Sequence, residues 1–380
     1  MKILAIFISG FLCLSLSAQT NIKPTTTKPT VQPKLIVGIV VDQMRYDYLA
    51  KYYNKFSENG FKKLLNLGFN CKNTNYNYAP TYTGPGHASI YTGTTPAYHG
   101  IVGNNWFVRE SGKEIYVTDD PTVQTVGSQS ERSGKMSPRN MLSSTIGDEL
   151  RLFSNMKSRV IAVSLKDRSA ILPGGHLSNG SYWFDSGSGN FITSTFYTKE
   201  LPGWVTDFNA QRLADTYLSK PWNTLLPIQQ YTESANDDNP YEGVYRGETK
   251  PVFPHNLPGM FSTTDYEVLR STPFGNSIVK DIALAALKAE NLGKGSYTDF
   301  IAISFSSTDY VGHKMGPQSV ELEDTYLRLD RDIAEIITAL EKSYGKDGFL
   351  LFLTADHAAA YVPSQLMDLK MNAGYFSSKV

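Results

Sequence analysis

The sequence is poor in cysteine: its 380 residues include only Cys13 and Cys71. Cys13 lies in the N-terminal apolar run described below, so its removal would leave Cys71 alone. No intrachain disulfide could then form, even in an oxidising compartment. The same count excludes zinc sites built from pairs of thiolates. Stability must therefore come from a hydrophobic core, or from metal ions with oxygen and nitrogen ligands.

An excess of either charge is also absent, because 36 Lys and Arg residues balance 36 Asp and Glu residues. Binding to the phosphate backbone of nucleic acids requires a clustered excess of Lys and Arg. No nucleic-acid-binding surface is therefore expected. Hydrophobic residues make up 41% of the chain and charged residues 19%. This composition is typical of a folded globular protein and excludes disorder of the whole chain.

No apolar stretch is long enough to span a membrane. Residues 3–16 form an apolar run that is shorter than the roughly 20 residues a bilayer requires. A basic start at Lys2 and small residues at Ser17 and Ala18 flank this run, so residues 1–18 are predicted to be a secretory signal peptide. Residues 19–33 are rich in Thr and Pro and are predicted to be a flexible leader. The mature protein is expected to be soluble and periplasmic or secreted.

Buried strands and amphipathic helices alternate at both ends of the chain. Apolar runs predict strands at 35–42, 159–165, 300–305 and 349–354. Apolar spacing predicts helices at 55–67, 85–91, 141–153, 277–292 and 319–344. This alternation indicates an α/β fold in which helices sandwich a mostly parallel sheet.

The middle of the chain has a different pattern. Two aromatic runs within residues 181–197 flank a Gly/Ser turn and predict a hairpin. Residues 221–259 are loop-like, with many Pro, Asn and Asp residues. We therefore interpret residues of about 170–275 as an inserted cap region on an α/β core that covers 34–380.

Polar residues follow the predicted strands, at the edge where open α/β sheets bind their ligands. Asp42 ends the first strand, and Lys166 and Arg168 follow the second. The last two strands are each followed by an Asp and a His, namely Asp309 with His313 and Asp356 with His357. Zinc favours such mixtures of carboxylate and imidazole, so the pattern predicts a two-metal site. Taken singly, a strand-end Asp is more often a helix N-cap and a lone His more often a structural residue.

Thr83 lies in the segment PTYTGPGHASIYTG, just before a helix start that Gly84 and Pro85 mark. The positive end of a helix favours a bound anion. A metal-bound alkoxide at this point would be placed to attack phosphorus. On this peptide alone, a role as a simple N-cap is the preferred interpretation of Thr83.

Five segments together resemble the alkaline phosphatase superfamily, in particular the phosphate-irrepressible alkaline phosphatases of the PafA type. They are LIVGIVVDQMRYDYL, YAPTYTGPGHASIYTGTTPAYHGIVGNNWF, SLKDRSAILPGG, SFSSTDYVGHKMG and FLTADHAAAYVP. The resemblance runs from residue 35 to about residue 362, and the combined motifs are highly specific. It implies an alkaline phosphatase-like fold and a Thr nucleophile, which the nucleotide pyrophosphatase/phosphodiesterase branch shares.

The resemblance also implies two zinc ions per active site, one of which contacts the nucleophile Thr83. Ligands of that zinc would be Asp42, Asp356 and His357. Ligands of the other zinc would be Asp309, His313 and a further His well downstream. By the same resemblance, Asn104 binds a phosphoryl oxygen, and Lys166 with Arg168 forms the cationic pair that distinguishes this branch.

None of the six histidines follows His357, whereas members of the resembled family are considerably longer. We therefore expect the chain to be truncated at its C-terminus, with an incomplete core. The second zinc site would then lack its downstream His ligand, which places the activity of this chain in doubt.

The leading hypothesis is an exported, monomeric, zinc-dependent phosphomonoesterase that acts through a phosphothreonine at Thr83. A phosphodiesterase or nucleotide pyrophosphatase is the main alternative. Lys166 and Arg168 argue against it, because a diester offers them one fewer charged oxygen. A sulfatase is disfavoured, since Thr83 cannot be converted to formylglycine. The remaining alternative is an inactive remnant that binds phosphate or metal.

Overall fold

The computed structural model describes residues 32–376; the predicted signal peptide and residues 19–31 of the predicted leader lie outside that range. The described strands are β1 (Leu35–Val41), β2 (Asn105–Val108), β3 (Lys113–Tyr116), β4 (Thr125–Val126), β5 (Val160–Ser164), β6 (Gly180–Asp185), β7 (Asn190–Ser194), β8 (Asp299–Phe305) and β9 (Phe349–Thr354).

The described helices are α1 (Asp47–Lys51), α2 (Phe61–Leu67), α3 (Thr83–Thr92), α4 (Pro96–His99), α5 (Ile146–Phe153), α6 (Asp167–Gly174), α7 (Gly203–Ala210), α8 (Leu213–Leu218), α9 (Glu267–Arg270), α10 (Phe274–Ala289), α11 (Ser307–Met315), α12 (Val320–Tyr344) and α13 (Pro363–Asp368). Short 3-10 helices occur at Tyr53–Lys55, Ile228–Gln230 and Leu257–Gly259. Within residues 32–376, no helix has both the length and the apolar sequence needed to cross a bilayer.

Seven strands form one mixed sheet in the order β4-β7-β6-β5-β8-β1-β9. Strands β6, β5, β8, β1 and β9 run parallel, and β7 pairs antiparallel with both of its neighbours. Strands β2 and β3 form a separate antiparallel pair. The predicted mostly parallel sheet is therefore confirmed.

Helices cover both faces of this sheet because its central strands are apolar on both sides. On one face, alternate residues of β1 such as Val37 and Ile39 join a large buried cluster with α10 and α12. On the other face, Val40 and Ala302 pack with Tyr91 of α3. Burying both faces holds the carboxyl ends of the parallel strands in fixed register.

Two predicted helices begin later than the sequence suggested. The helix predicted at 55–67 begins at Phe61, because the Asp330 carboxylate of α12 accepts hydrogen bonds from the backbone N–H groups of Ser57 (2.6 Å) and Phe61 (2.7 Å). The helix predicted at 141–153 begins at Ile146, after a capping box between Thr145 and Asp148. Both starts are set by polar side chains rather than by apolar spacing.

The predicted hairpin is present as β6 and β7, with Asp185 paired with Asn190. Both strands belong to the main sheet. Residues 180–194 therefore extend the sheet, although the sequence analysis placed them within the inserted cap. Their buried aromatic side chains, Tyr182 and Phe184 among them, pack into the main core.

Candidate active site

Parallel pairing brings three chain segments to one edge of the sheet. In register, Val41 of β1 lies beside Phe305 of β8, and Val40 lies beside Thr354 of β9. Asp42 follows β1 directly, and its backbone N–H donates to the Phe305 carbonyl (3.0 Å). The residues that follow β8 and β9 must therefore lie next to Asp42, as expected at the carboxyl edge of a parallel sheet.

The centre of the site is a triad of Asp42, Asp309 and His357. One ligand atom from each of the three lies within 4.8 Å of the others. The His357 Nε2 atom is 3.4 Å from Asp42 Oδ1 and 3.9 Å from Asp309 Oδ1. Asp42 is fully buried, and no group among residues 32–376 donates a hydrogen bond to its Oδ1 atom. An orphaned carboxylate oxygen beside an imidazole is suited to binding a metal ion such as zinc.

Lys166 supplies positive charge to this triad. Its Nζ atom donates to Asp42 Oδ2 (2.7 Å) and to Asp309 Oδ2 (2.5 Å), and its side chain is almost completely buried. Burial alone would lower the pKa of Lys166, but the charges of Asp42 and Asp309 raise it above its ordinary value. The same ammonium helps to hold the pKa of Asp309 below its ordinary value, against burial and the charge of Asp42.

Asp356 directly precedes His357 of the triad and is fully buried. Its Oδ1 atom accepts hydrogen bonds from the backbone N–H groups of Gln43 (3.1 Å) and His357 (2.9 Å). Burial would raise the pKa of Asp356, but His87 and the charge of His357 lower it to about 2. In turn, burial would lower the pKa of His357, but the carboxylates of Asp42 and Asp356 raise it to about 10. The opposed shifts show that His357 and the carboxylates around it stabilise each other's charged forms.

His313 lies at the rim of the site. It is one turn after Asp309 on α11, and its Nε2 atom is 3.1 Å from Asp309 Oδ1. Its side chain is 72% exposed, whereas that of His357 is 10% exposed. The structure therefore brings Asp309 into the buried triad and leaves His313 at the solvent boundary.

Thr83 is the first residue of α3 and is buried. The N-cap is Tyr82, and no side-chain capping bond is made there, so Thr83 is not the N-cap that its peptide alone suggested. The backbone N–H of Gly84 donates to Asn104 Oδ1 (2.8 Å), which places the Asn104 side chain beside Thr83. A Cβ at Gly84 would lie 3.2 Å from that oxygen, so a larger residue there would crowd the Asn104 side chain.

Arg168 is held differently from Lys166. Its Nη1 atom donates to the Tyr116 hydroxyl (2.9 Å), and that hydroxyl donates to Asp167 Oδ1 (2.6 Å). The Arg168 Nε atom is buried without an acceptor among the described residues. Lys166 and Arg168 are thus two residues apart in the sequence but form hydrogen bonds with different partners.

Sequence reasoning missed Gln43, Tyr116 and His87. Gln43 adopts a left-handed conformation with φ of 64°, and its Nε2 atom donates to Asp309 Oδ1 (2.8 Å). This bond and the hydrogen bond from the Gln43 backbone N–H to Asp356 join the segments that follow β8 and β9. Only its position next to Asp42 could have signalled this role.

Residues 36–373 match the family described as type I phosphodiesterase/nucleotide pyrophosphatase. The chain is 50% identical to alkaline phosphatase PhoV of Synechococcus elongatus, covering 100% of this chain and 69% of PhoV. It is 49% identical to alkaline phosphatase PafA of Elizabethkingia meningoseptica, covering 92% of this chain and 64% of PafA. The chain thus spans about two thirds of the length of these relatives.

The crystal structure of wild-type PafA matches with a TM-score of 0.88 and 48% identity, over 92% of this chain and 67% of that chain. A PafA variant matches with a TM-score of 0.89 and 46% identity, over 93% of this chain and 68% of that chain. In that variant a threonine is replaced by serine, and an asparagine, a lysine and an arginine are replaced by alanine.

Proposed function

Because the chain belongs to the type I phosphodiesterase/nucleotide pyrophosphatase family of the alkaline phosphatase superfamily, we propose that it is a zinc-dependent phosphomonoesterase. The observation that carries this proposal is the buried triad of Asp42, Asp309 and His357 at the carboxyl edge of the sheet. Two relatives at about half identity, PhoV and PafA, are named alkaline phosphatases, that is, phosphoric monoester hydrolases.

The residues present offer three protein ligands for one zinc ion and two for a second. Asp42 Oδ1 and Asp356 Oδ2 are buried and accept no hydrogen bond from the described residues, so both retain free lone pairs. One ion would be held by Asp42, Asp356 and His357, and the other by Asp309 and His313. When bound, zinc supplies positive charge that lowers the pKa of a coordinated hydroxyl and stabilises negatively charged oxygen.

Thr83 is the proposed nucleophile. Its hydroxyl oxygen attacks phosphorus in line, a new oxygen–phosphorus bond forms, and the bond to the leaving oxygen breaks. Water then attacks the phosphothreonine, which releases phosphate and restores the hydroxyl. The position of Thr83 in the first turn of α3 supports this role, because the positive end of the helix stabilises an anion there.

Asn104 is the proposed ligand of a phosphoryl oxygen. Its Oδ1 atom already accepts from Gly84 N, so its amide nitrogen is the group left to donate. Among residues 32–376, no group accepts a hydrogen bond from that nitrogen. A fixed donor beside Thr83 would stabilise the charge that develops on the transferred phosphoryl group.

Lys166 and Arg168 favour a monoester over a diester. A monoester dianion has one more charged terminal oxygen than a diester. An ammonium and a guanidinium can both form charge-assisted hydrogen bonds with such oxygens. The substituted residues of the PafA variant have the same types and the same spacing along the chain as Thr83, Asn104, Lys166 and Arg168. This agreement supports the assignment of all four residues to the site.

The nucleophile can be tested with Thr83→Ala. We expect turnover of p-nitrophenyl phosphate to fall by several orders of magnitude, while zinc content is largely retained. Thr81→Ala, two residues earlier in the same segment, is the matched control and should keep its activity. Acid quenching with a labelled monoester should trap phosphoprotein only where Thr83 is present. Near-normal turnover by Thr83→Ala would contradict the proposal.

Export is the remaining part of the proposal, and it depends on the signal-like pattern of residues 1–18. Expression of the whole chain with its N-terminus should yield a periplasmic or secreted protein that has lost these residues. N-terminal sequencing of the purified protein measures this directly. A cytoplasmic product that begins at Met1 would contradict export without affecting the proposed chemistry.

A further inference from the structure

His87 is a buried imidazole on α3, four residues after Thr83, and the proposed function does not use it. Its side chain is fully buried. The Nδ1 atom lies 2.9 Å from the Thr83 carbonyl oxygen and 3.3 Å from Asp356 Oδ2. The Nε2 atom lies 2.8 Å from the Ser304 hydroxyl at the end of β8. One ring thus touches the main chain of the nucleophile, a proposed zinc ligand and the central sheet.

These partners determine which ring nitrogen carries a proton. The Thr83 carbonyl and the Asp356 carboxylate can only accept hydrogen bonds, so Nδ1 must be the donor. The Ser304 hydroxyl pairs with Nε2, so both ring nitrogens have a partner. The N–H bond is directed at the Thr83 carbonyl, and Asp356 Oδ2 receives no full hydrogen bond. That oxygen therefore keeps its lone pairs, and contact with the His87 ring at 3.3 Å limits its movement.

Close packing makes this contact sensitive to small shifts. A Cβ atom added at Gly86 would lie 2.4 Å from the Asp356 carbonyl oxygen and 2.7 Å from its Cβ atom. Helix α3 therefore rests directly on the backbone of Asp356, with no room to move closer. Any change in the polar contact of His87 alters how Thr83 and Asp356 are placed relative to each other.

We propose that His87 is a positioning residue, an inference that rests on the proposed roles of Thr83 and Asp356. Its Nδ1–H group bonds to the main chain of the nucleophile, and the same nitrogen lies against the carboxylate of a proposed metal ligand. Partners that orient metal ligands in this way commonly affect both metal affinity and turnover. His87 acts through Thr83 and Asp356 and needs no contact with the substrate.

The test compares His87→Asn with His87→Gln. The Asn amide nitrogen takes the place of Nδ1, whereas the longer Gln places its amide nitrogen near Nε2. With p-nitrophenyl phosphate we expect His87→Gln to lower kcat by about 10–100-fold, with little change in KM, and to weaken zinc affinity in a chelator competition by a similar factor. His87→Asn should stay within roughly fivefold of the wild type in both measurements.

His99→Gln is the matched control, since His99 is also fully buried and pairs instead with Ser89 and the Ile101 backbone. It should leave zinc affinity unchanged.

Equal losses in His87→Asn and His87→Gln would overturn the inference, because His87 would then act through packing alone. If Thr83→Ala kept full turnover, the proposed function would fail. The zinc affinities would still decide the His87 inference. A lower zinc affinity in His87→Gln than in His87→Asn would support the inference, and equal affinities would overturn it.

Discussion

At the scale of single residues, the side chains that support the triad of Asp42, Asp309 and His357 are less visible in the sequence than the triad itself. Asp42, Asp309 and His357 stand out because each follows an apolar run that ends at the sheet edge. Gln43 has no such signal, since its left-handed backbone and its bonds to residues more than 260 positions away exist only in the folded chain. Local patterns identify reactive groups but cannot identify partners that are distant in sequence.

Gln43 provides a test that separates backbone strain from side-chain contact. Both Gln43→Ala and Gln43→Gly remove the hydrogen bond to Asp309, and both should weaken zinc affinity by about tenfold or more. Only Gly adopts a φ of 64° without strain, so Gln43→Gly should be more stable than Gln43→Ala by about 1 kcal/mol. Urea unfolding of the two apo proteins measures the difference. Equal stabilities would show that the left-handed conformation is not strained.

Arg168 provides a test of substrate class. We expect Arg168→Ala to lower monoesterase activity by on the order of 2–4 kcal/mol in transition-state binding, and diesterase activity far less. Tyr116→Phe, which removes only the hydroxyl that holds Arg168 Nη1, should give a smaller loss with the same preference. Measurements of kcat/KM with p-nitrophenyl phosphate and bis(p-nitrophenyl) phosphate check both variants. Equal losses for the two substrates would make Arg168 a structural residue.

At the scale of elements, the parallel strands were the most predictable part of the fold. Strands β1, β5, β8 and β9 are continuous apolar runs, and the structure contains each of them within one residue of its predicted bounds. Helix starts were less predictable, because they depend on polar contacts such as those of Asp330 with Ser57 and Phe61. The hairpin of β6 and β7 was predicted, but its place in the main sheet depends on pairing between β5 and β6.

The Asp330 contact can be tested through stability. Asp330→Ala leaves the backbone N–H groups of Ser57 and Phe61 without their acceptor, which should cost about 2–3 kcal/mol of unfolding free energy. Asp347→Ala, at an exposed position in the loop before β9, is the control and should change stability little. Urea unfolding measures both. A loss in Asp330→Ala no larger than in the control would mean that water replaces the carboxylate without cost.

At the scale of the whole molecule, the loop between the 3-10 helices Ile228–Gln230 and Leu257–Gly259 makes stability depend on pH. Burial, followed by the charges of Glu321 and Asp237, raises the pKa of Glu242 from its ordinary 4.5 to about 9. Between these values the folded chain keeps a proton that the unfolded chain has lost. The contribution of Glu242 to stability is therefore largest below pH 4.5, falls as the pH rises towards about 9, and stays lost above it.

Glu242→Gln should remove this dependence, since the amide cannot ionise. We expect the variant to unfold at a higher temperature than the wild type near pH 9, with a smaller advantage near pH 5. Glu114→Gln, at an exposed position on β3, is the control and should show no such divergence. Thermal unfolding across this pH range measures the effect. Parallel profiles for the wild type and Glu242→Gln would contradict the raised pKa of Glu242.

The Lys166 ammonium between Asp42 and Asp309 also bears on the order in which the chain matures. Two carboxylates this close would repel each other strongly if nothing lay between them. Because the chain carries its own counter-charge, the sheet edge can form before any metal ion arrives. Chelator-treated protein should therefore stay folded by circular dichroism, whereas chelator-treated Lys166→Met should unfold at a markedly lower temperature. An enzyme of this design can fold as apoprotein and acquire its ions as the last step of assembly.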